Sequence, residues 1–182
     1  MTVFTVGHST RPFDEFLVLL RAHAVAQLAD IRTIPRSRRH PQFSIGALAA
    51  ALGEAGVVYR HFPALGGLRK PRADSVNTGW RNASFRGYAD YMQSVEFNEA
   101  VDELVSFASG NDETAGTSAS RPTVMMCAEA VWWQCHRQLV ADALVVRGYT
   151  VRHITSQAPA ALHTLTEFAR VDGRRVTYPG LL

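Results

Sequence analysis

Three short stretches of the chain carry side chains able to do chemistry. Gly7-His8-Ser9-Thr10 sets a histidine between a glycine and two hydroxyl residues. An imidazole titrates near neutral pH, so His8 is a candidate general acid or base. Gly7 lets a ligand approach the main chain. Free amides at a following helix start favour an anion, which Ser9 can help to hold. The competing reading is a tight turn with a hydroxyl cap.

The second stretch runs from Asp30 to Arg39. Arg32, Arg36, Arg38 and Arg39 fall within eight positions, with Ser37 among them and His40 after. Guanidinium forks at this density form a phosphate-binding surface. Asp30 serves either as a base or as the carboxylate that orients Arg32. The plainer alternative is a solvated basic loop with a structural Asp30–Arg32 pair. Pro35 and Pro41 bracket the loop and limit its freedom.

The third stretch joins Cys127-Ala128-Glu129 to Cys135-His136-Arg137. Three chemistries compete here. A thiol near a helix start and near His136 or Arg137 becomes a nucleophile. Alternatively, Glu129 is a general base while Cys135, His136 and Arg137 hold substrate. A zinc ion held by Cys127, Cys135, His136 and a further histidine is the third. No Cys-x-x-Cys pair exists, so no metal and no cofactor are assigned. Buried cysteines that act only as small hydrophobes are the plain alternative. Further along, Trp80, Phe85, Tyr88 and Tyr91 interleave with Arg81 and Arg86. Such a pattern stacks on bases or packs inward, and inward packing is the stronger expectation.

These residues need a frame. Val3–Val6, Ala24–Ile31, Val57–Arg60, Thr123–Met126 and Tyr149–Ile154 read as short buried strands. Between them the periodicity predicts helices after Pro12, from a Ser44 cap to Ala55, over Phe85–Gln93, over Val95–Ala108 and over Trp132–Arg147. Leu162, Leu165 and Phe168 suggest a last helix. Ser109–Ser120 is small and polar and reads as a mobile loop rather than a linker. The fold class expected is α/β, one domain over 1–182 with a mostly parallel five-stranded sheet flanked by helices. Ligands of such sheets sit beyond the carboxyl ends of the strands. His8, Asp30, Arg32, Glu129 and His136 are therefore expected around one pocket.

Bulk properties narrow the classes. The chain has 182 residues, 47% of them hydrophobic, which suits one globular core. No apolar run reaches the roughly 18–20 residues that cross a bilayer. A signal-peptide pattern is absent, and two cysteines make no disulfide framework, so a reduced, cytoplasmic setting is expected. The net charge of +3 hides an asymmetry. Residues 1–92 carry 12 basic and 6 acidic side chains, and residues 93–182 carry 7 and 10. Of the basic residues only Lys70 is a lysine.

Taken together and in this order, several stretches resemble the bacterial family known as domain of unknown function 488. They are Gly7-His8-Ser9-Thr10, Asp30-Ile31-Arg32 with Pro35-Arg36-Ser37, Pro41-Gln42-Phe43, Gly66-Gly67, Met126-Cys127-Ala128-Glu129 and Cys135-His136-Arg137. The resemblance runs from residue 3 to about 154. It implies where the site lies and names no reaction.

The favoured reading is an enzyme of hydrolase or lyase type on a nucleotide or nucleic acid. The arginine loop would hold phosphate, His8, Asp30 and Glu129 would move protons, and Arg137 would clamp substrate. A cysteine-dependent sulfur or thiol transferase using Cys127 is the second reading, since a cysteine between strand and helix is similar to the placement in rhodanese-like domains. A non-catalytic nucleic-acid-binding module is the third. No membrane partner is expected.

Overall fold

A computed structural model describes residues 1–36, 38–110 and 121–180. Strands β1 (Thr2–Gly7), β2 (Gln27–Asp30), β3 (Val58–His61), β4 (Thr123–Cys127) and β5 (Thr150–Ile154) pair in parallel. A two-residue strand, β6 (Ala161–Leu162), adds an antiparallel edge beside β5. The order across the sheet is β3-β2-β4-β1-β5-β6. The five expected strands are thus present, and the sheet has a sixth.

Burial on both faces explains the apolar content of the central strands. Val6, Leu28, Val124 and Met126 pack with Phe16, Leu20, Leu48 and Leu52 from α1 (Phe13–Ala22) and α2 (Ile45–Glu54). Val3, Ala29, Met125 and Cys127 face the other way. They meet α3 (Ala83–Tyr91), α4 (Val95–Ser109) and α5 (Arg137–Val146) through residues such as Ala89, Leu104, Leu139 and Val140.

Local chemistry sets the helix ends. Asn82 caps α3 by accepting from the amides of Ser84 and Phe85. Ser94 caps α4 in the same way through the Phe97 amide. Gly110 closes α4 with a φ of +72°, where a side chain would be strained. Ser44 departs from expectation: its Oγ donates to the Pro41 carbonyl at 2.7 Å, because a 3₁₀ turn over Pro41–Phe43 presents that oxygen. Ser109 was expected to open a loop; instead it ends α4, with its Oγ on the Val105 carbonyl. The remainder of that expected loop, 111–120, lies outside the described residues.

Two expectations for the last third need correction. A helix was expected from Trp132, but α5 starts only at Arg137. Trp132–Gln134 form a 3₁₀ turn and Cys135 is extended. Trp132 is held there by stacking flat on His153, with ring centroids 4.1 Å apart. Among the described residues the tail forms no helix. Instead it adds β6 and a hairpin of β7 (Arg170–Asp172) and β8 (Arg175–Thr177). Gly173, at φ +57°, supplies the turn. Phe168 and Tyr178 then pack on Trp80, at 4.9 and 5.4 Å, and tertiary contact overrides the weak local periodicity.

A buried polar chain crosses the α3–α5 side. The Thr5 hydroxyl meets His153 Nδ1 at 2.7 Å, His153 Nε2 meets His163 Nδ1 at 2.9 Å, and His163 Nε2 meets Asp142 at 2.9 Å. Asp142 also accepts from Thr166 and the Tyr178 hydroxyl. Burial, then the neighbouring His163 and Arg137, depress the His153 pKa from 6.5 to about 3. The folded protein therefore refuses a proton that the unfolded chain accepts below about pH 6.5. This contribution to stability is lost as pH falls from that value towards 3. We predict that His153→Gln, which removes the titrating ring, makes the decline of stability over that range shallower. Denaturant unfolding at a series of pH values measures it. Parallel curves for the two proteins would refute the assignment.

Candidate functional site

The crossovers determine where a crevice opens. From β1 the chain passes over β4 to reach β2, and from β4 it passes over β1 to reach β5. The two exits run in opposite directions, which opens a crevice at the carboxyl ends of β1 and β4. There Gly7 stands opposite Cys127 in register.

Arg32 is the most constrained side chain of this rim. Asp30, fully buried, takes Arg32 Nε at 2.8 Å and Nη2 at 2.6 Å in a bidentate pair. The same carboxylate accepts from the Arg32 amide and from the Tyr59 hydroxyl at 2.8 Å, so both its oxygens are engaged. Burial and then Asp30 push the Tyr59 phenol up, which keeps it a donor. On the far side His8 donates from Nδ1 to the Ser9 carbonyl at 2.8 Å. That leaves Nε2 as acceptor, 3.3 Å from Arg32 Nη1. Burial lowers the His8 pKa to about 4, so the ring is neutral near pH 7. It stacks on Phe43 at 4.1 Å. His8 and Asp30 thus orient Arg32 from behind.

In front of Arg32 lies a cavity of ≈ 340 Å³. Its floor is Cys127, Cys135 and His136; Thr33, Gly67, Phe85 and Tyr88 form walls; Ile34, Leu68 and Glu129 stand at the lip. His136 donates from Nε2 to the Ile31 carbonyl at 3.1 Å, which leaves Nδ1 facing the Cys135 sulfur at 3.7 Å. A hydrogen bond from Cys127 holds the Cys135 thiol well below its usual range, against the opposing effect of burial. The same bond and burial push Cys127 up. Both cysteines are free thiols. A Cβ on Gly67 would stand 3.0 Å from His136 Nδ1, so this loop closes tightly over the imidazole.

A family model for "Domain of unknown function DUF488" matches residues 12–144. The chain belongs to this family. No curated protein and no solved structure matches it. In this DUF488 protein the expected residues divide by strand parity. Cys127, Glu129, Cys135, His136 and Arg32 line one cavity. His8 and Asp30 share the rim but not the lining, because His8 packs with Phe43 on the α1–α2 side. The amides of His8 and Ser9 are not free for an anion; they donate to the carbonyls of Cys127 and Ala128. Arg36, Arg38 and Arg39 are exposed. Ser37 lies outside the described residues.

Arg137, expected to clamp substrate, makes no contact with the Glu129 carboxylate. The buried guanidinium instead donates from Nη2 to the Glu129 main-chain carbonyl at 2.5 Å, while the Glu129 side chain is exposed. Arg137 has no carboxylate partner among the described residues, and its Nε has no hydrogen bond. Gly7 makes the arrangement possible: a Cβ there would lie 1.8 Å from the Glu129 carbonyl oxygen and 2.9 Å from Arg137 Nη2. Tyr59 was missed by sequence reasoning, its signal being a polar residue inside an apolar strand; Phe43 and Ile31 lay within stretches the resemblance singled out, without a role for either. Of the aromatic stretch, Tyr88 is buried with its hydroxyl on the Leu65 carbonyl, and Trp80 packs against Phe85, so the inward reading describes them.

Three outcomes follow from this packing. Gly7→Ala should cost about 1–3 kcal/mol by overpacking, measured as a lowered denaturant midpoint; an unchanged midpoint would contradict the contact. Asp30→Asn leaves Arg32 without its counter-charge and should destabilise the fold by about 3 kcal/mol or more. Tyr59→Phe should cost about 1 kcal/mol.

Proposed function

We propose that this protein is an enzyme acting on a phosphate-bearing, nucleotide-like substrate by acid–base chemistry at the cavity before Arg32. One observation carries the reading: a guanidinium fixed by Asp30 and His8 faces a cavity whose lip holds the exposed carboxylate of Glu129. Arg32 would take the anion, since the fork keeps its orientation at little entropic cost. Phe85, Ile34 and Leu68 offer apolar surface for a ring, and the volume suits a small ligand. Glu129 would give or take the proton. Arg36, Arg38 and Arg39, exposed just beyond Ile34, extend the positive surface along a longer phosphate chain or strand. A hydrolase or lyase fits these roles.

Titration with nucleoside monophosphates and short single-stranded oligonucleotides tests the reading. Binding at low salt should fall steeply as salt rises, and alanine at Arg36, Arg38 and Arg39 together should flatten that dependence. Arg32→Lys should weaken binding roughly tenfold or more, by loss of the charged fork. Glu129→Gln should leave binding in place and abolish turnover of whichever ligand is consumed. Absence of any binding by the parent protein at low salt would end the proposal.

A further inference from the structure

Cys127, Cys135 and His136 come from a strand end, an extended residue and a helix cap, and no Cys-x-x-Cys pair marks them in the sequence. The fold nevertheless brings one ligating atom from each within 4.8 Å of the others. We infer that Cys127, Cys135 and His136 bind a thiophilic divalent cation of the zinc class, with a fourth coordination position open to the cavity.

Three features of the geometry carry the inference. Tetrahedral zinc, with bonds of about 2.3 Å to sulfur and about 2.0–2.1 Å to nitrogen, sets its ligand atoms roughly 3.5–3.8 Å apart. Cys135 Sγ and His136 Nδ1 are already 3.7 Å apart. Secondly, the histidine is prepared as a ligand. Its Nε2–H is spent on the Ile31 carbonyl, which fixes the tautomer with the Nδ1 lone pair turned towards the sulfur. Metal-bound histidines carry this kind of outer partner. A Cβ at Gly67 would stand 3.0 Å from the same nitrogen, so the glycine leaves that side of the ring unobstructed. Thirdly, the three groups are the floor of an open cavity rather than a closed knot. Three protein ligands and one open position are the pattern of catalytic rather than structural zinc.

Cation preference follows from the donors. Two thiolates and an imidazole suit zinc and disfavour magnesium or calcium, which take oxygen. In the substrate reading given above, the open position faces Glu129 and Arg32 across the cavity, where a bound cation would polarise a substrate oxygen. That use rests on the proposed function; binding of the metal does not.

The test uses the full chain, reduced with a non-thiol phosphine, stripped with chelator and then titrated with zinc against a competing chromophoric chelator. We expect one zinc per chain. Cys127→Ser, Cys135→Ser and His136→Ala should each weaken binding by more than the roughly 10–100-fold that loss of an outer partner costs. Cobalt in place of zinc should give intense tetrahedral bands and a thiolate charge-transfer band, which only these two cysteines can supply. In the unmutated protein zinc should also slow alkylation of both thiols, a readout that needs no variant to fold. The proposal is overturned if the reduced, folded parent takes up no zinc, or if zinc leaves alkylation unchanged. It is likewise overturned if thiosulfate loads a persulfide onto either cysteine at a rate indifferent to zinc. Nucleotide binding measured on the stripped protein is independent of these arms, so failure of the metal site and failure of the substrate reading are told apart.

Discussion

The contact between Gly7, the Glu129 carbonyl and the Arg137 guanidinium holds the rim together. Gly7 and Cys127 are partners in adjacent parallel strands, and the chain leaving β4 must fold back over the end of β1. It does so by laying its main chain where any side chain at position 7 would stand. Arg137 then reaches under the loop and takes the Glu129 carbonyl. The result is a buried cation bonded to a peptide oxygen rather than to a carboxylate. A peptide oxygen cannot be protonated in the physiological range, so the tie holds at any working pH. It also leaves the Glu129 side chain out at the cavity lip.

Parity of the strands divides the rim into two functional layers. Successive residues of a strand point to opposite faces of a sheet. Cys127 therefore faces α3–α5 and the cavity, whereas Met126 faces α1 and α2. His8 follows β1 on the α1–α2 side and meets Phe43. Arg32 passes between the layers, anchored by Asp30 and His8 behind and exposed to the cavity in front. The layer behind fixes geometry, and the layer in front holds the atoms with unused bonding capacity.

Electrostatics support the same division. His8, held neutral, can sit beside a guanidinium without repelling it, because its remaining lone pair is an acceptor. Asp30 neutralises Arg32 while staying away from solvent. On the other layer two thiols and an imidazole share a small volume with a buried arginine nearby, so negative charge on sulfur is stabilised there.

The α/β class, the five parallel strands, both thiols and the arginine loop were legible in the sequence. Short apolar runs, hydroxyl caps and charge clustering are local properties, and β1, β4, α3 and α4 follow them closely. The carboxyl-end rule then located the rim, because it depends only on the strands being parallel. What the sequence could not contain was partnership. Asp30 read from the sequence as either a base or an anchor; the Tyr59 hydroxyl from β3 and the bidentate Arg32, which occupy its carboxylate, are partners that only the fold supplies. Arg137 had a carboxylate near it in sequence, yet the loop turned the carbonyl inward instead. The start of α5 and the tail depended on Trp132 finding His153 and on Phe168 and Tyr178 finding Trp80. Contacts of this kind join residues far apart in sequence, and they outweigh propensities of a few tenths of a kcal/mol per residue.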